Sequence, residues 1–120
     1  MSNYVDGFVI PVPKANIDAY RKMAELAGQV WKDHGALAYW ECAGEDLGGE
    51  HTSRFPEIAE AGPDDTVFFS WIVYESREHR DEVNAKVMED PRLKDMMDPE
   101  EMPFDCKKMA YGGFTPLVKY

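Results

Sequence analysis

Three polar side chains fall inside otherwise apolar stretches of the sequence: Asp6, Glu41 and Ser70. A carboxylate in such a stretch costs free energy unless it is paired or solvated. Two carboxylates that share a poorly hydrated cleft have raised pKa values, which suit a general acid or base. Asp6, Glu41 and Ser70 are therefore the candidate catalytic residues. The alternative is structural: they hydrogen-bond to nearby backbone or tyrosines, or lie at the wet rim of a sheet.

Tyrosines accompany these residues and offer both apolar rings and hydroxyl donors. Tyr39, Tyr74 and Tyr111, with Tyr4 beside them, are the candidates for lining a ligand pocket. Tyrosines are equally common at dimer interfaces, so the pattern favours neither role over the other.

The sequence carries no motif for a metal or a cofactor, and none is expected. Cys42 and Cys106 form no Cys-x-x-Cys pair, and His34, His51 and His79 are not spaced to share a metal on one element. Both cysteines are expected to be buried thiols, although two lysines after Cys106 favour a lowered thiol pKa. His34 is expected to pack or cap a helix. Hydrolase, metalloprotease and dinucleotide-binding fingerprints do not occur, which argues against those enzyme classes.

The composition is that of a globular chain with an excess of acid. The 120 residues include 23 Asp or Glu and 13 Lys or Arg, so the formal net charge is −10. Nucleic acids and anionic membranes bind basic surfaces, and neither is expected as a partner. No apolar run approaches the roughly 20 residues of a spanning helix. The N-terminus has no secretory pattern, so we expect one cytoplasmic domain over residues 1–120.

Four strands are predicted where β-branched and aromatic residues concentrate, over residues 4–12, 36–43, 66–74 and 107–114. Two helices are predicted between them. The first begins after Asn16 and ends at Gly35, and the second follows Ser76 over residues 77–89. The order β-α-β-β-α-β predicts a ferredoxin-like α+β fold: a four-stranded antiparallel sheet with both helices on one face.

Shorter features are predicted between these elements. Residues 44–65 are expected to form a long loop that contains a short helix, with Pro56 in its first turn and its body over residues 57–61. The Asp90-Pro91 step starts a further helical turn that continues to Met97, and residues 98–106 form a loop.

Side chains alternate across a strand, which divides the strand residues into two sets. One set has no charge and is assigned to the face beneath the helices: Val5, Gly7, Val9, Ala36, Ala38, Trp40, Cys42, Val67, Phe69, Trp71 and Val73. The other set is assigned to the uncovered face: Tyr4, Asp6, Phe8, Ile10, Leu37, Tyr39, Glu41, Ala43, Phe68, Ser70, Ile72 and Tyr74. Because that face is still largely apolar, we expect a homodimer in which two sheets pack face to face around a polar cleft.

Several segments, spread over nearly the whole chain, resemble the YbaA-like family of small bacterial proteins, a domain of unknown function. They are residues 4–9, 35–37, 41–42, 69–72, 74, 76, 80–81, 84, 90–92, 102–105, 109 and 111–114. The resemblance implies a dimeric α+β barrel and no particular activity. Proteins with such barrels include cofactor-free monooxygenases, haem-degrading enzymes, isomerases and ligand binders, but fold alone does not select among them.

Two functions therefore stay open. The first is a homodimeric small-molecule binder or cofactor-independent enzyme, which performs proton transfer or oxygenation in a cleft at the sheet. The cleft lies between the sheet and its helices or at the dimer interface. The second is a non-catalytic interaction or stress-related protein, in which the buried polar groups only fix the register of the sheet.

Overall fold

A computed structural model describes residues 3–96, 98 and 101–120 of the chain. Four antiparallel strands form one sheet in the order β2-β3-β1-β4. The strands are β1 (Tyr4–Pro13), β2 (Ala38–Ala43), β3 (Asp65–Tyr74) and β4 (Ala110–Phe114). The helices are α1 (Ile17–Asp33), α2 (Phe55–Ile58), α3 (Arg77–Glu89) and α4 (Pro91–Met96). The predicted ferredoxin-like α+β fold is confirmed.

The two long helices begin and end largely as local signals predict. Ser76 precedes α3, and its side chain accepts a hydrogen bond from the backbone N–H of His79. Gly35 follows α1 with a φ of 113°, a backbone conformation that glycine adopts readily. Asn16 does not cap α1; its amide instead donates to the carbonyl oxygen of Pro103, at 3.0 Å. Asn16 therefore fastens the start of α1 to the segment that leads into β4.

Two strands start later than predicted. β2 joins the sheet at Ala38 rather than at residue 36, because the chain is still turning at Gly35. β4 starts at Ala110 rather than at residue 107, because Cys106–Lys108 form a 3-10 turn stabilised by the Asp105 carboxylate. Cys106 is exposed, so the expectation of a buried thiol is wrong for this residue. Residues 97, 99 and 100, which belong to the predicted turn and loop, lie outside the described ranges.

The predicted assignment of the two sheet faces is wrong. The helices pack against the polar set: Ile10, Phe68, Ser70, Ile72 and Tyr74 are all buried, as is Asp6. The charge-free set forms the outer face, except that Ala36 packs in the core with Val30 and Val83. The long helices α1 and α3 leave the outer face open, and the short helix α2 contacts it at Phe69 through the ring of Phe55. That assignment assumed that charges avoid a covered face, but α1 and α3 carry polar side chains that pair with the strand acids. The strand residues without charge instead lie on the face that has no polar side chains of α1 or α3 opposite it.

The core lies between the helices and the sheet in two clusters. One joins Val30 of α1 and Val83 and Val87 of α3 to Ile72 and Tyr74 of β3. The other joins α1 to β1 and β3, through Tyr20, Ala24, Ile10, Val12 and Phe68. Between residues 3 and 120, outside the gaps at 97 and 99–100, no helix is long and apolar enough to cross a bilayer.

Candidate functional site

A cavity of about 370 Å³ lies between the sheet and its helices. Its size is within the range of small-molecule pockets, which enclose roughly 300–1,000 Å³. Most of the wall is apolar and includes the side chains of Phe8, Ile10, Met23, Met96, Phe104 and Met109. Methionine is flexible and polarisable, so a wall of this kind adapts to ligands of different shapes.

The sheet places a row of polar and aromatic residues on the cavity floor. In the strand register, Glu41 pairs with Ser70, Ser70 with Phe8, and Phe8 with Tyr111. The four strands therefore hold these side chains side by side on one face. The rings of Phe8 and Tyr111 are in contact, with their centroids 5.0 Å apart.

Glu41 is the carboxylate at one end of this row. The Tyr20 hydroxyl donates to its Oε1 at 2.9 Å, and the Tyr39 hydroxyl donates to its Oε2 at 3.1 Å. Burial raises the pKa of Glu41; hydrogen bonds from Tyr20, Tyr39 and Ser70 oppose that rise without cancelling it. Burial and the nearby carboxylate also raise the pKa values of both tyrosines, so their hydroxyls stay protonated donors at neutral pH.

Asp6 is the second carboxylate, and its environment differs from that of Glu41. Its side chain is 1% exposed and accepts a hydrogen bond from Nη1 of Arg80 at 2.8 Å. The same Nη1 donates to the Tyr111 hydroxyl at 2.7 Å, and the guanidinium lies over the ring of Tyr4. Burial raises the pKa of Asp6, while the charge of Arg80 lowers it. Asp6 is thus a paired acid, whereas no described Lys, Arg or His forms an ion pair with Glu41.

A hydrogen-bonded cluster connects Asp6 to α1 and α3. Asn84 and Tyr74 lie beside Asp6, and both lower its pKa. Tyr74 also donates to Oδ1 of Asn84 at 3.2 Å, and the indole N–H of Trp31 lies 3.1 Å from each of these two oxygens. The cluster fixes α1 and α3 to the sheet at this end of the cavity.

The structure brings most of the sequence-predicted residues together. Asp6, Ser70, Glu41, Tyr39 and Tyr111 all line the cavity, and Tyr74 is fully buried beside it.

Sequence reasoning missed the helix residues that complete the site. Charged and polar side chains on a helix usually lie on its solvated face, but Arg80 and Asn84 both turn towards the sheet. The helical spacing indicates this orientation, because positions 80 and 84 lie on the same face of α3 as the buried Val83 and Val87. Tyr20 lies among the apolar residues that recur along α1, a position that does not by itself indicate the contact of its hydroxyl with Glu41.

A second groove, of about 440 Å³, opens between α1 and β2 and shares Tyr20, Tyr39 and Glu41 with the cavity. Gly28 of α1 faces the ring of Tyr39 there. A Cβ atom at Gly28 would lie 2.9 Å from Cδ1 of Tyr39, so glycine allows the ring to pack closely on the helix. Gly28 thereby helps to place the Tyr39 hydroxyl on Glu41. In the described part of the chain, His, Cys, Asp and Glu form no cluster that suits a metal.

These features define a class: small ferredoxin-like α+β proteins with an apolar, carboxylate-bearing cavity under the helices. Solved structures show the same fold. A NIPSNAP family protein of unknown function from Agrobacterium tumefaciens is 19% identical, with a TM-score of 0.59, covering 95% of this chain and 87% of that one. A dimeric ferredoxin-like protein from an uncultured marine organism is 8% identical, with a TM-score of 0.56, covering 100% and 98%.

The chain belongs to the family described as "Protein of unknown function (DUF1428)", which matches residues 3–106. It is 45% identical over 115 residues to "Uncharacterized protein YbaA" of Escherichia coli K12, covering 96% of this chain and 97% of that protein. The protein of the same name from Shigella flexneri matches to the same extent. The resemblance to the YbaA-like family is confirmed.

Proposed function

We propose that this protein binds a small organic molecule in the cavity and that Glu41 exchanges a proton with it. The chemistry is cofactor-independent proton transfer, or an oxygenation that begins with proton removal. The observation that carries the proposal is Glu41 itself. It is a carboxylate without a cationic partner among the described residues, held by Tyr20 and Tyr39 at the wall of an apolar cavity. A general base works best when its pKa lies near the working pH, and burial moves Glu41 in that direction.

The other polar residues have supporting roles in this proposal. Ser70 lies opposite Glu41 in the strand register and lowers its pKa, so it helps to hold the carboxylate in place. Asp6 is occupied by Arg80 and is less available for proton transfer. Tyr39 and Tyr111 form polar points on the wall, where a ligand hydroxyl or carbonyl group can hydrogen-bond.

The test compares Glu41→Gln with Glu82→Gln, a control at an exposed position of α3. Native mass spectrometry of protein from its own host reports any retained molecule, and a thermal-shift screen then identifies its class. We expect wild type and Glu82→Gln to bind the same molecule, and Glu41→Gln to bind it at least about tenfold more weakly. If wild type retains nothing and no compound class raises its Tm, the proposal is wrong.

The second candidate function is a non-catalytic interaction protein, and the Asp6–Arg80 pair favours it. Buried ion pairs with additional hydrogen bonds commonly fix a fold without taking part in chemistry. In this alternative, Asp6 and Glu41 only fix the sheet beneath its helices. The absence of any ligand in both experiments above, together with a loss of stability in Glu41→Gln, is the result that favours it.

We also propose that the protein is a homodimer through the outer face of the sheet. Apart from Asp65 at the start of β3, the strand residues of that face are uncharged. Its aromatic side chains are exposed: Trp40 is 58% and Phe69 is 45% exposed, and Trp40 stacks on Trp71. Contiguous apolar patches of this kind usually mark an interface. Two solved structures with the same fold are described as dimeric.

Sedimentation at micromolar concentration tests the dimer. We expect a species of twice 13.7 kDa. Trp40→Glu should weaken association at least about tenfold, because it places a charge in the apolar interface. Leu26→Glu on α1 is the control, since it adds the same charge on the helical side of the molecule. A 13.7 kDa wild-type species would contradict the proposal.

A further inference from the structure

We infer that the cavity selects uncharged ligands: its occupant is a neutral, largely apolar molecule with one weakly acidic O–H group, such as a phenol or an enol, and organic anions are rejected. This inference rests on the proposed function, because it concerns the same cavity and the same carboxylate. It adds the chemical class of the ligand.

The described residues of the cavity wall offer no cationic side chain to an anion. No Lys, Arg or His belongs to the part of the wall that the described residues form. The five residues outside the described ranges are Met1, Ser2, Met97, Pro99 and Glu100, and none of them has a cationic side chain. Anionic ligands are normally held by Arg or Lys side chains, and the described part of this wall has neither.

The negative charge on the wall comes mainly from Glu41. Arg80 neutralises Asp6 from α3, at 2.8 Å, and its guanidinium is engaged by Asp6 and Tyr111 rather than exposed on the cavity wall. Arg21 lies along the neighbouring groove, but it pairs with Asp18 at 3.2 Å and both side chains are largely exposed. An anionic ligand in the cavity would therefore face the Glu41 carboxylate across a medium that screens charge poorly.

A neutral O–H acid avoids this repulsion before and after proton transfer. Glu41 takes the proton, so the O–H bond of the ligand breaks and a new O–H bond forms on the carboxyl group. The electron pair of the broken bond stays on the ligand oxygen. One negative charge has moved from protein to ligand, and the total charge in the cavity has not changed. The hydroxyls of Tyr20 and Tyr39 donate to Glu41 at 2.9 and 3.1 Å, so in this proposal they lie beside the ligand oxygen that gives up its proton and donate to the new oxyanion.

The apolar part of the wall suits the body of such a ligand. Phe8 and Phe104 offer ring faces, and Met23, Met96 and Met109 offer flexible thioethers. Aromatic rings stack on or pack edge-to-face against such side chains. The polar groups are concentrated at the ends of the floor, so a ligand with one polar group places it on Glu41 and buries the remainder.

The test uses three probes with the same aromatic body: naphthol, naphthoate and naphthylmethylamine, substituted at the same ring position. Calorimetry measures their affinities for the wild-type protein, for Glu41→Gln and for the control Glu82→Gln. We expect naphthol to bind to wild type at least about tenfold more tightly than naphthoate. Glu41→Gln should reduce that ratio, because it removes the repulsion of the anion, whereas Glu82→Gln should leave it unchanged.

The outcomes separate this inference from the proposed function. If naphthoate binds to wild type as tightly as naphthol, the cavity binds ligands but does not select by charge, and the inference is wrong. If naphthylmethylamine binds at least about tenfold more tightly than naphthol and loses this advantage in Glu41→Gln, Glu41 is the counter-ion of a cation and the neutral class is wrong. If none of the probes binds at millimolar concentration, both proposals fail. The wild-type comparison does not depend on whether the Glu41 variant folds.

Discussion

Because the pKa of Glu41 is raised, the free energy of unfolding should depend on pH in a way that can be measured without a ligand. Glu41→Gln keeps the size of the side chain and removes its ionisation. Burial raises the pKa of Glu41 above its ordinary value of 4.5, so the folded protein holds this proton at pH values where the unfolded chain has released it. Between these two pKa values, the wild-type free energy of unfolding therefore falls as pH rises.

The size of the effect follows from the coupling between proton binding and folding. One proton of difference between the folded and unfolded states changes the free energy of unfolding by about 1.4 kcal/mol per pH unit. The stability of Glu41→Gln relative to wild type should thus rise from about pH 4.5 upwards, with at most that slope, and level off above the folded pKa. Any effect of losing a hydrogen bond to Tyr20 or Tyr39 adds a constant offset and does not change this slope.

Urea unfolding of both proteins between pH 4 and pH 8, in about half-unit steps at fixed protein concentration, measures the difference. Glu82→Gln is the control, because it removes an exposed carboxylate from α3, and its difference from wild type should vary little with pH. A stability difference between Glu41→Gln and wild type that stays constant over this range would refute the reasoning. A difference that falls as pH rises would show that Glu41 is stabilised as the anion instead.

Two further substitutions test the residues that position the site. Arg80→Met should lower the free energy of unfolding at neutral pH by about 3 kcal/mol, because it leaves Asp6 buried without its cation, and the loss should shrink as Asp6 is protonated at acidic pH. Arg21→Met, which breaks an exposed pair, should cost less than about 0.5 kcal/mol, and equal losses in urea unfolding would contradict the prediction. Gly28→Ala should lower the free energy of unfolding by about 1 kcal/mol, because the new Cβ collides with the ring of Tyr39. This loss is the net effect, after the roughly 1 kcal/mol by which alanine is favoured over glycine in a helix. A gain in urea unfolding would show that the ring moves aside freely.

The elements of the fold could be predicted because their signals are local. Tyr20, Ala24 and Ala27 recur at helical spacing on α1 and are buried as that pattern indicates. Ser76 caps α3 because its side-chain oxygen accepts a hydrogen bond from the backbone N–H of His79, three residues further on. Interactions of this range are visible in a short window of sequence.

The face of the sheet that the helices cover could not be predicted in the same way. Alternation separates the strand residues into two sets but does not say which set is covered. The partner that makes Asp6 tolerable under the helices is Arg80, 74 positions along the chain. The partner of Glu41 on α1 is Tyr20. A pattern of apolar residues treats Tyr20 as one more apolar side chain and gives no information about its hydroxyl. Only the packed chain brings these groups together.

The cavity is built within one chain, and this determines how ligand binding depends on assembly. Its floor, its helices and both of its carboxylates belong to the same 120 residues, while the proposed contact between copies is on the opposite surface of the sheet. A dimer then carries two complete compartments that face away from each other. Saturation should occur at one molecule per chain, along a simple hyperbolic curve, and dilution into monomers should leave the intrinsic dissociation constant unchanged.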